Sequence, residues 1–328
     1  MNNSGIQPSE ASLEASGAPL AVSVVNGKDL APIALFVYNR PEHTQRTVES
    51  LRANDLAQLS DLYVFADGPK RGSSLAAIRE VRKLIRAIDG FKSVTVIERE
   101  QNLGLSESVI RGVTQICNEH GRAIAVEDDI LTSVDFLHFM NYALERYLHA
   151  EKIFSVSGFN FSFGVPKDYT YDAYCSYRSI SWGWGTWKDR WEKADWSVSD
   201  YASFSRDRDQ QRLFNRGGED LSGILALQMA GRVDSWSIRW DYAHFKRDAL
   251  ALLPVVSRVY NIGFDGSGVH CRSGTLKQAV LSNGCKAEYR FPNMLEADRF
   301  FVNEIRRLHR RSTARKIVQY LKYRMERR

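Results

Sequence analysis

Residues 123–133 read AIAVEDDILTS, an apolar run that ends in three consecutive carboxylates, Glu127, Asp128 and Asp129. Like charges this close repel, so they persist either in free solvent or where a cation offsets them. A divalent metal held for a phosphate-bearing substrate would do so, because such ions take hard oxygen ligands and few of them from protein. The bland alternative is a solvated acidic turn that begins a helix.

The elements around this stretch decide between the two. IALFVYNR (33–40) reads as a buried strand, and Pro41 suits the first turn of a helix. LYVFADG (62–68) is a second strand ending in Asp-Gly, and residues 73–89 form an amphipathic helix with Leu75, Ile78, Val81, Leu84, Ile85 and Ile88 on one face. VTVIE (94–98) is a third strand, residues 104–121 a helix stopped by Gly121, and AIAVEDDI a fourth strand. Thr132 and Asp135 have capping-box spacing before an apolar helix over 134–149, and IFSVSG (153–158) is a fifth strand. Alternation of this kind predicts βαβ units and a mostly parallel sheet flanked by helices, whose ligands lie beyond the carboxyl ends of the strands. Three predicted strand ends carry polar groups there: Asn39–Arg40, Asp67–Gly68 and the acidic triple. From about residue 160 to 295 the sequence becomes irregular and aromatic-rich.

Composition narrows the class. The 328 residues suffice for one large core or two modest ones. The expected organisation is a disordered leader over 1–30, an α/β nucleotide-binding half over 31–160, an acceptor-binding half of the same globule over 161–298, and a basic C-terminal helix over 299–328. The leader lacks a basic start and an apolar stretch, so it is not read as a secretory signal, and no run approaches membrane-spanning length. The four cysteines, Cys117, Cys175, Cys271 and Cys285, are far apart and predict isolated thiols in a reducing cytoplasm. Residues 301–328 hold ten Lys/Arg and two Glu, a local +8 within a net +6, which leaves everything before them at −2. The basic character belongs to the tail, and no nucleic-acid partner is expected for the main domain.

Together, FVYNRPEHTQRTVESL, FADGP, NLGLSESVIRGV and AVEDDILTSVDFLHFM resemble glycosyltransferases of the GT-A fold, most of all the N-acetylglucosaminyltransferase I type and its bacterial relatives. The resemblance covers residues 32–160 and extends more weakly through SISWGWGTW to NIGFDGSGVH at 270. It implies a Rossmann-like GT-A domain, Mn²⁺ or Mg²⁺ as cofactor, a nucleotide-sugar donor (a UDP-sugar first) and an inverting transfer to a bacterial surface glycan. By the same resemblance Asp129 coordinates the metal, Glu127 faces the ribose and Asp128 approaches the donor sugar. Arg40 would contact the diphosphate, Asp67 would accept a hydrogen bond from the base, and Asn102 and Gly104 would line the nucleotide pocket. A plain Asp-Gly turn and a helix-start turn remain open for the last two.

Inversion needs a general base to take the acceptor's proton. The family's base lies beside a tryptophan, so Asp234 in VDSWSIRW leads, although this chain has Asp-Ser-Trp where the family has Asp-Asp-Trp; Asp220 competes with it. His270 is a candidate second metal ligand or phosphate contact. Trp184, Trp187 and Trp191 at i, i+3, i+7 look like a buried helix face. Trp182 and Trp184, flanked by glycine, are also candidate sugar platforms. The 301–328 segment, with Ile305, Leu308, Val318, Leu321 and Met325 on one stripe, is either a membrane-surface helix on the cytoplasmic side or a solvated one. Serine-hydrolase, zincin and P-loop motifs are absent from the sequence. A metal-dependent nucleotidyltransferase and a non-catalytic carbohydrate-binding protein stand as alternatives.

Overall fold

The computed structural model describes residues 30–265, 281, 282, 284, 286 and 288–310. Its amino-terminal half alternates as the hydrophobic periods require: β1 (Ile33–Val37), α1 (Pro41–Arg52), β2 (Asp61–Ala66), α2 (Leu75–Arg86), β3 (Ser93–Glu98), α3 (Leu105–His120), β4 (Arg122–Glu127), β5 (Ile130–Thr132), α4 (Phe136–Arg146) and β6 (Ile153–Ser157). Proline stands at the first turn of α1, Ser74 caps α2 by accepting from Ala77 N–H, and Gly121 closes α3 in the left-handed conformation. The expected capping box before α4 does not form. Asp135 makes no cap hydrogen bond and instead pairs with the buried Arg258 guanidinium at 2.9 Å.

Beyond residue 160 the chain is more regular than its sequence suggests. It adds β7 (Ala173–Ser176), β8 (Trp184–Trp187), α5 (Lys188–Trp191), α6 (Tyr201–Phe204), α7 (Arg208–Phe214), α8 (Leu221–Met229), α9 (Trp236–Lys246), β9 (Leu250–Pro254), β10 (Val259–Asn261) and α10 (Arg299–Leu308). Both halves share one eight-stranded sheet of order β3-β2-β1-β4-β8-β6-β9-β7. The strands β3, β2, β1, β4, β6 and β9 point one way, while β8 and β7 run antiparallel to their neighbours. The carboxyl ends of β1, β2 and β4 therefore meet at one edge. A second, two-stranded ribbon pairs β5 with β10 just past that edge.

The tryptophan-rich stretch corrects the helical reading. Trp184 and Trp187 lie on a strand, where odd spacing sends side chains to opposite faces. Trp187 joins the core with α4 and β6, whereas Trp184 packs on the other face with Trp191, Trp236 and Trp240. Only Lys188–Trp191 is helical, one turn long. Cys117 and Cys175 are buried, and burial pushes both thiols up to about 12, so they are inert core residues. Cys271, Cys285, His270 and the tail from 311 onward lie outside the described residues.

Candidate functional site

The register between β1 and β4 sets Phe36 beside Glu127, so the turn after each strand leaves the sheet at the same level. Arg40, the residue before α1, reaches from one turn to the other. Its Nη2 donates to a carboxylate oxygen of Asp128 and to Asp129 Oδ2 at 3.0 Å. Helix α1 fastens the acidic turn from beneath: Thr47 Oγ1 donates to the Asp128 carbonyl at 2.8 Å, and Ser50 Oγ accepts from Thr132 N–H at 3.0 Å. Across the turn, the segment after β10 closes the other side, with Ile262 N–H donating to the Asp129 carbonyl at 2.9 Å.

Asp128 and Asp129 are buried. Burial pushes the Asp128 carboxyl up to about 6 even with the Arg40 guanidinium pulling the other way. Burial, then Asp129 and Asp128, raise Glu127 as well, although part of its surface faces solvent. Burial opposes the charge on Arg40, but the two aspartates outweigh it and its pKa rises. With Asp128 and Asp129 ionised, two carboxylates share one guanidinium among the described residues, an excess of negative charge in a partly dry place.

Among the described residues no three His, Cys, Asp or Glu converge as a ready-made metal cage. The arrangement nonetheless fits a divalent ion of the expected kind, which takes one or two carboxylates and fills its remaining positions with phosphate oxygens and water. The charge excess supplies the attraction. A second observation points to an anion beside it: Arg40 Nη1 is buried and, among the described residues, has no hydrogen-bond partner. An unpaired buried guanidinium N–H is costly unless a ligand oxygen completes it.

Sequence reasoning missed three residues here. His43, in the first turn of α1, lies with Nε2 3.1 Å from Asp265 Oδ2. Asp265 ends the 3₁₀ turn Gly263–Asp265 that abuts Asp129, and Asn261 Oδ1 accepts from Gly263 N–H at 2.7 Å. The NIGFD string that carries the turn was legible, but nothing local ties it to a helix some 220 residues earlier.

Asp67 has a structural task in the turn that its position alone did not suggest. Its two oxygens accept from the backbone N–H groups of Gly68 at 3.2 Å, Leu103 at 3.0 Å and Gly104 at 3.1 Å. Asn102 completes the lock by donating to the Gly68 carbonyl at 2.8 Å. With only 6% of its surface exposed, Asp67 braces the 102–104 turn through these three N–H groups. Gly104 has φ +79°, so this helix-start turn needs glycine.

The two candidate bases occupy unlike places. Asp234 is exposed, and a Cβ on Gly104 would lie 3.4 Å from its Oδ2, which brings it beside the Asp67-braced turn at the carboxyl edge. It does not cap α9; Ser235 does. Asp220 is held by both arms of Arg178, at 2.9 and 3.1 Å. Burial would raise its pKa, but Arg178 dominates and lowers it, so this aspartate is locked in an ion pair. That pairing favours the charged carboxylate and makes it the weaker proton acceptor.

The two tryptophan platforms also separate. Trp184 is 3% exposed and stacks on Trp236 with ring centroids 4.8 Å apart, so it is a core residue and no sugar platform. Trp182 is half-buried between Phe159 at 4.5 Å and Phe264 at 5.6 Å. Through Phe264 it adjoins the turn behind Asp129.

No protein-family model matches the chain, and no curated protein does. Among solved structures the chain is similar to residues 1–349 of S. aureus TarS at 10% identity, over 71% of this chain and 60% of that one, with a TM-score of 0.41. It is similar to the mannosyltransferase PcManGT from Pyrobaculum calidifontis in complex with GDP-Man and Mn²⁺ at 11% identity, over 66% and 69%, with a TM-score of 0.36. A third similarity, at 16% identity over 40% and 43% with a TM-score of 0.27, is to glucosyl-3-phosphoglycerate synthase from Mycobacterium tuberculosis in complex with Mn²⁺, UDP and glucosyl-3-phosphoglycerate. The chain spans 60% of the TarS fragment, and the likeness to each is partial.

Proposed function

We propose that this chain is a metal-dependent glycosyltransferase of the GT-A type, which moves a sugar from a nucleotide diphosphate donor, a UDP-sugar first, to a glycan or lipid-linked glycan with inversion. One observation carries the reading: the buried acidic turn after β4 is bridged by a single arginine whose remaining buried N–H has no partner among the described residues. A cation-seeking carboxylate set beside an anion-seeking guanidinium N–H suits a diphosphate and its metal together.

Asp129 would hold Mn²⁺ or Mg²⁺, which when bound neutralises charge developing on the diphosphate, and Asp128 would approach the donor sugar. Arg40 Nη1 donates to a phosphate oxygen. Asp67 and Asn102 keep the 102–104 turn rigid as the side wall of the nucleotide, and Glu127 faces the ribose. Asp234 takes the proton of the acceptor hydroxyl as its oxygen bonds to the anomeric carbon; the carbon–oxygen bond to the diphosphate breaks and its electron pair leaves with the phosphate. Trp182 offers a ring face to a sugar. The unpaired Arg40 N–H beside the acidic turn favours a phosphate-bearing donor over a non-catalytic carbohydrate-binding protein.

Among the described residues no helix is long and apolar enough to cross a membrane. Helix α10 turns Phe301 and Ile305 into the core, so over its described length the expected apolar stripe packs on the domain as in the solvated alternative, and peripheral contact with an anionic leaflet would rest on exposed arginines such as Arg306 and Arg307. The test is thermal stability with UDP, GDP, dTDP and CMP, each with and without Mn²⁺, in wild type and Asp129→Ala. Metal-dependent stabilisation by UDP, lost in the variant, is the expected result. If no nucleotide shifts the wild type in either condition, the transferase reading fails.

A further inference from the structure

The turn Gly263–Asp265 lies against the acidic turn without belonging to the same run of chain. A Cβ on Gly263 would overlap Asp129 Oδ2 and stand 3.0 Å from its Cγ and 3.1 Å from Asn261 Oδ1. The backbone of Gly263 is therefore the floor on which the Asp129 carboxylate rests. Its φ is not in the left-handed region, so backbone freedom is not what requires glycine here. The requirement is the space taken by the carboxylate.

The floor is held from three directions. Ile262 N–H donates to the Asp129 carbonyl at 2.9 Å, Asn261 Oδ1 accepts from Gly263 N–H at 2.7 Å, and His43 on α1 lies 3.1 Å from Asp265. Helix α1 and the preceding Arg40 thus grip the acidic turn twice, directly through Arg40 and Thr47 and indirectly through His43 and the 263–265 turn. A carboxylate pinned between a guanidinium on one side and a bare backbone on the other has little choice of rotamer.

We propose that Gly263 is a positioning residue: by lacking a side chain it sets the orientation in which Asp129 meets the metal and donor diphosphate, and the His43–Asp265 contact keeps the turn in place. This deepens the function proposed above and rests on it for the ligand, but not for the steric relation. Positioning partners of metal ligands typically change metal affinity roughly 10–100-fold when altered.

Two measurements test it. The first is Mn²⁺ affinity in the presence of UDP, by calorimetry, for wild type, Gly263→Ala and His43→Ala. Gly263→Ala is expected to weaken Mn²⁺ binding by roughly tenfold or more and His43→Ala by less. The second is a double-mutant cycle in metal-free thermal stability between Gly263→Ala and Asp129→Ala. The added methyl should lower the melting temperature beside Asp129 and have little effect once that carboxylate is gone. Should Gly263→Ala fail to fold alone while the double variant folds, the conclusion is the same. Unchanged Mn²⁺ affinity in Gly263→Ala, or a methyl penalty that persists in full without Asp129, overturns the proposal. If wild type binds no Mn²⁺ with UDP yet the cycle shows coupling, the transferase reading fails and the steric assignment stands.

Discussion

Replacing Arg40 with methionine leaves the stem packed and removes the one cation that, among the described residues, bridges Asp128 and Asp129. Breaking a buried ion pair by deleting one partner costs about 3–5 kcal/mol, because the charge left behind is uncompensated. The Arg40 side chain keeps 20% of its surface exposed, against 8% for Asp128 and 10% for Asp129, so solvent relieves part of this penalty. About 2–4 kcal/mol is expected for the metal-free protein at neutral pH, after that discount. The assay is denaturant unfolding of Arg40→Met at low salt without divalent ions. Adding Asp128→Asn should return part of the loss, since the second substitution removes a charge the first one stranded. A change below about 0.5 kcal/mol, the range of an ordinary surface substitution, would show that the acidic turn is solvated and does not need the arginine. So would a loss that Asp128→Asn fails to soften.

His244 is fully buried, with Nδ1 2.9 Å from the Trp240 carbonyl and Nε2 2.9 Å from Ser155 Oγ, a pattern that the neutral ring satisfies by donating through Nδ1 and accepting at Nε2. Burial lowers its pKa from 6.5 to about 4, so the unfolded chain binds a proton that the folded one refuses, and stability present above pH 6.5 drains as pH falls toward 4. Its share of the loss is about 2 kcal/mol at pH 5, and unfolding of His244→Gln should show a correspondingly flatter slope from pH 7 to 5. Trp184→Ala should cost about 3–5 kcal/mol as a core truncation, whereas Trp182→Ala should leave stability nearer wild type and weaken acceptor binding, read by denaturation and by glycan titration. Asp67→Ala should release the 102–104 turn, seen as faster amide exchange at Leu103 and Gly104. Asp234→Asn should abolish transfer while nucleotide binding survives, and Asp220→Asn should instead lower the melting temperature by loosening Arg178.

The alternation of strands and helices up to residue 157 was readable in the chain because hydrophobic period is a local property: each segment must put its apolar side toward a neighbour, whichever neighbour that is. The placement of Arg40, Asp67 and Glu127–Asp129 at one edge followed from the same logic, since parallel strands end together. Sequence reached its limit where a residue's role depends on what closes against it. Trp184 and Asp67 bear the right chemistry for a ligand, yet one is enclosed by Trp236 and the other is drawn into bracing a turn by backbone N–H groups from residues 68, 103 and 104. Asp220 reads in the sequence as a free carboxylate, and only the fold brings Arg178 onto it. The insertion of β8 between β4 and β6, and the meeting of His43 with Asp265 and of Gly263 with Asp129, join segments far apart along the chain. Local pattern determines which atoms could bind metal and phosphate; the long-range closure of the sheet and ribbon determines which of them still have a lone pair or an N–H to offer.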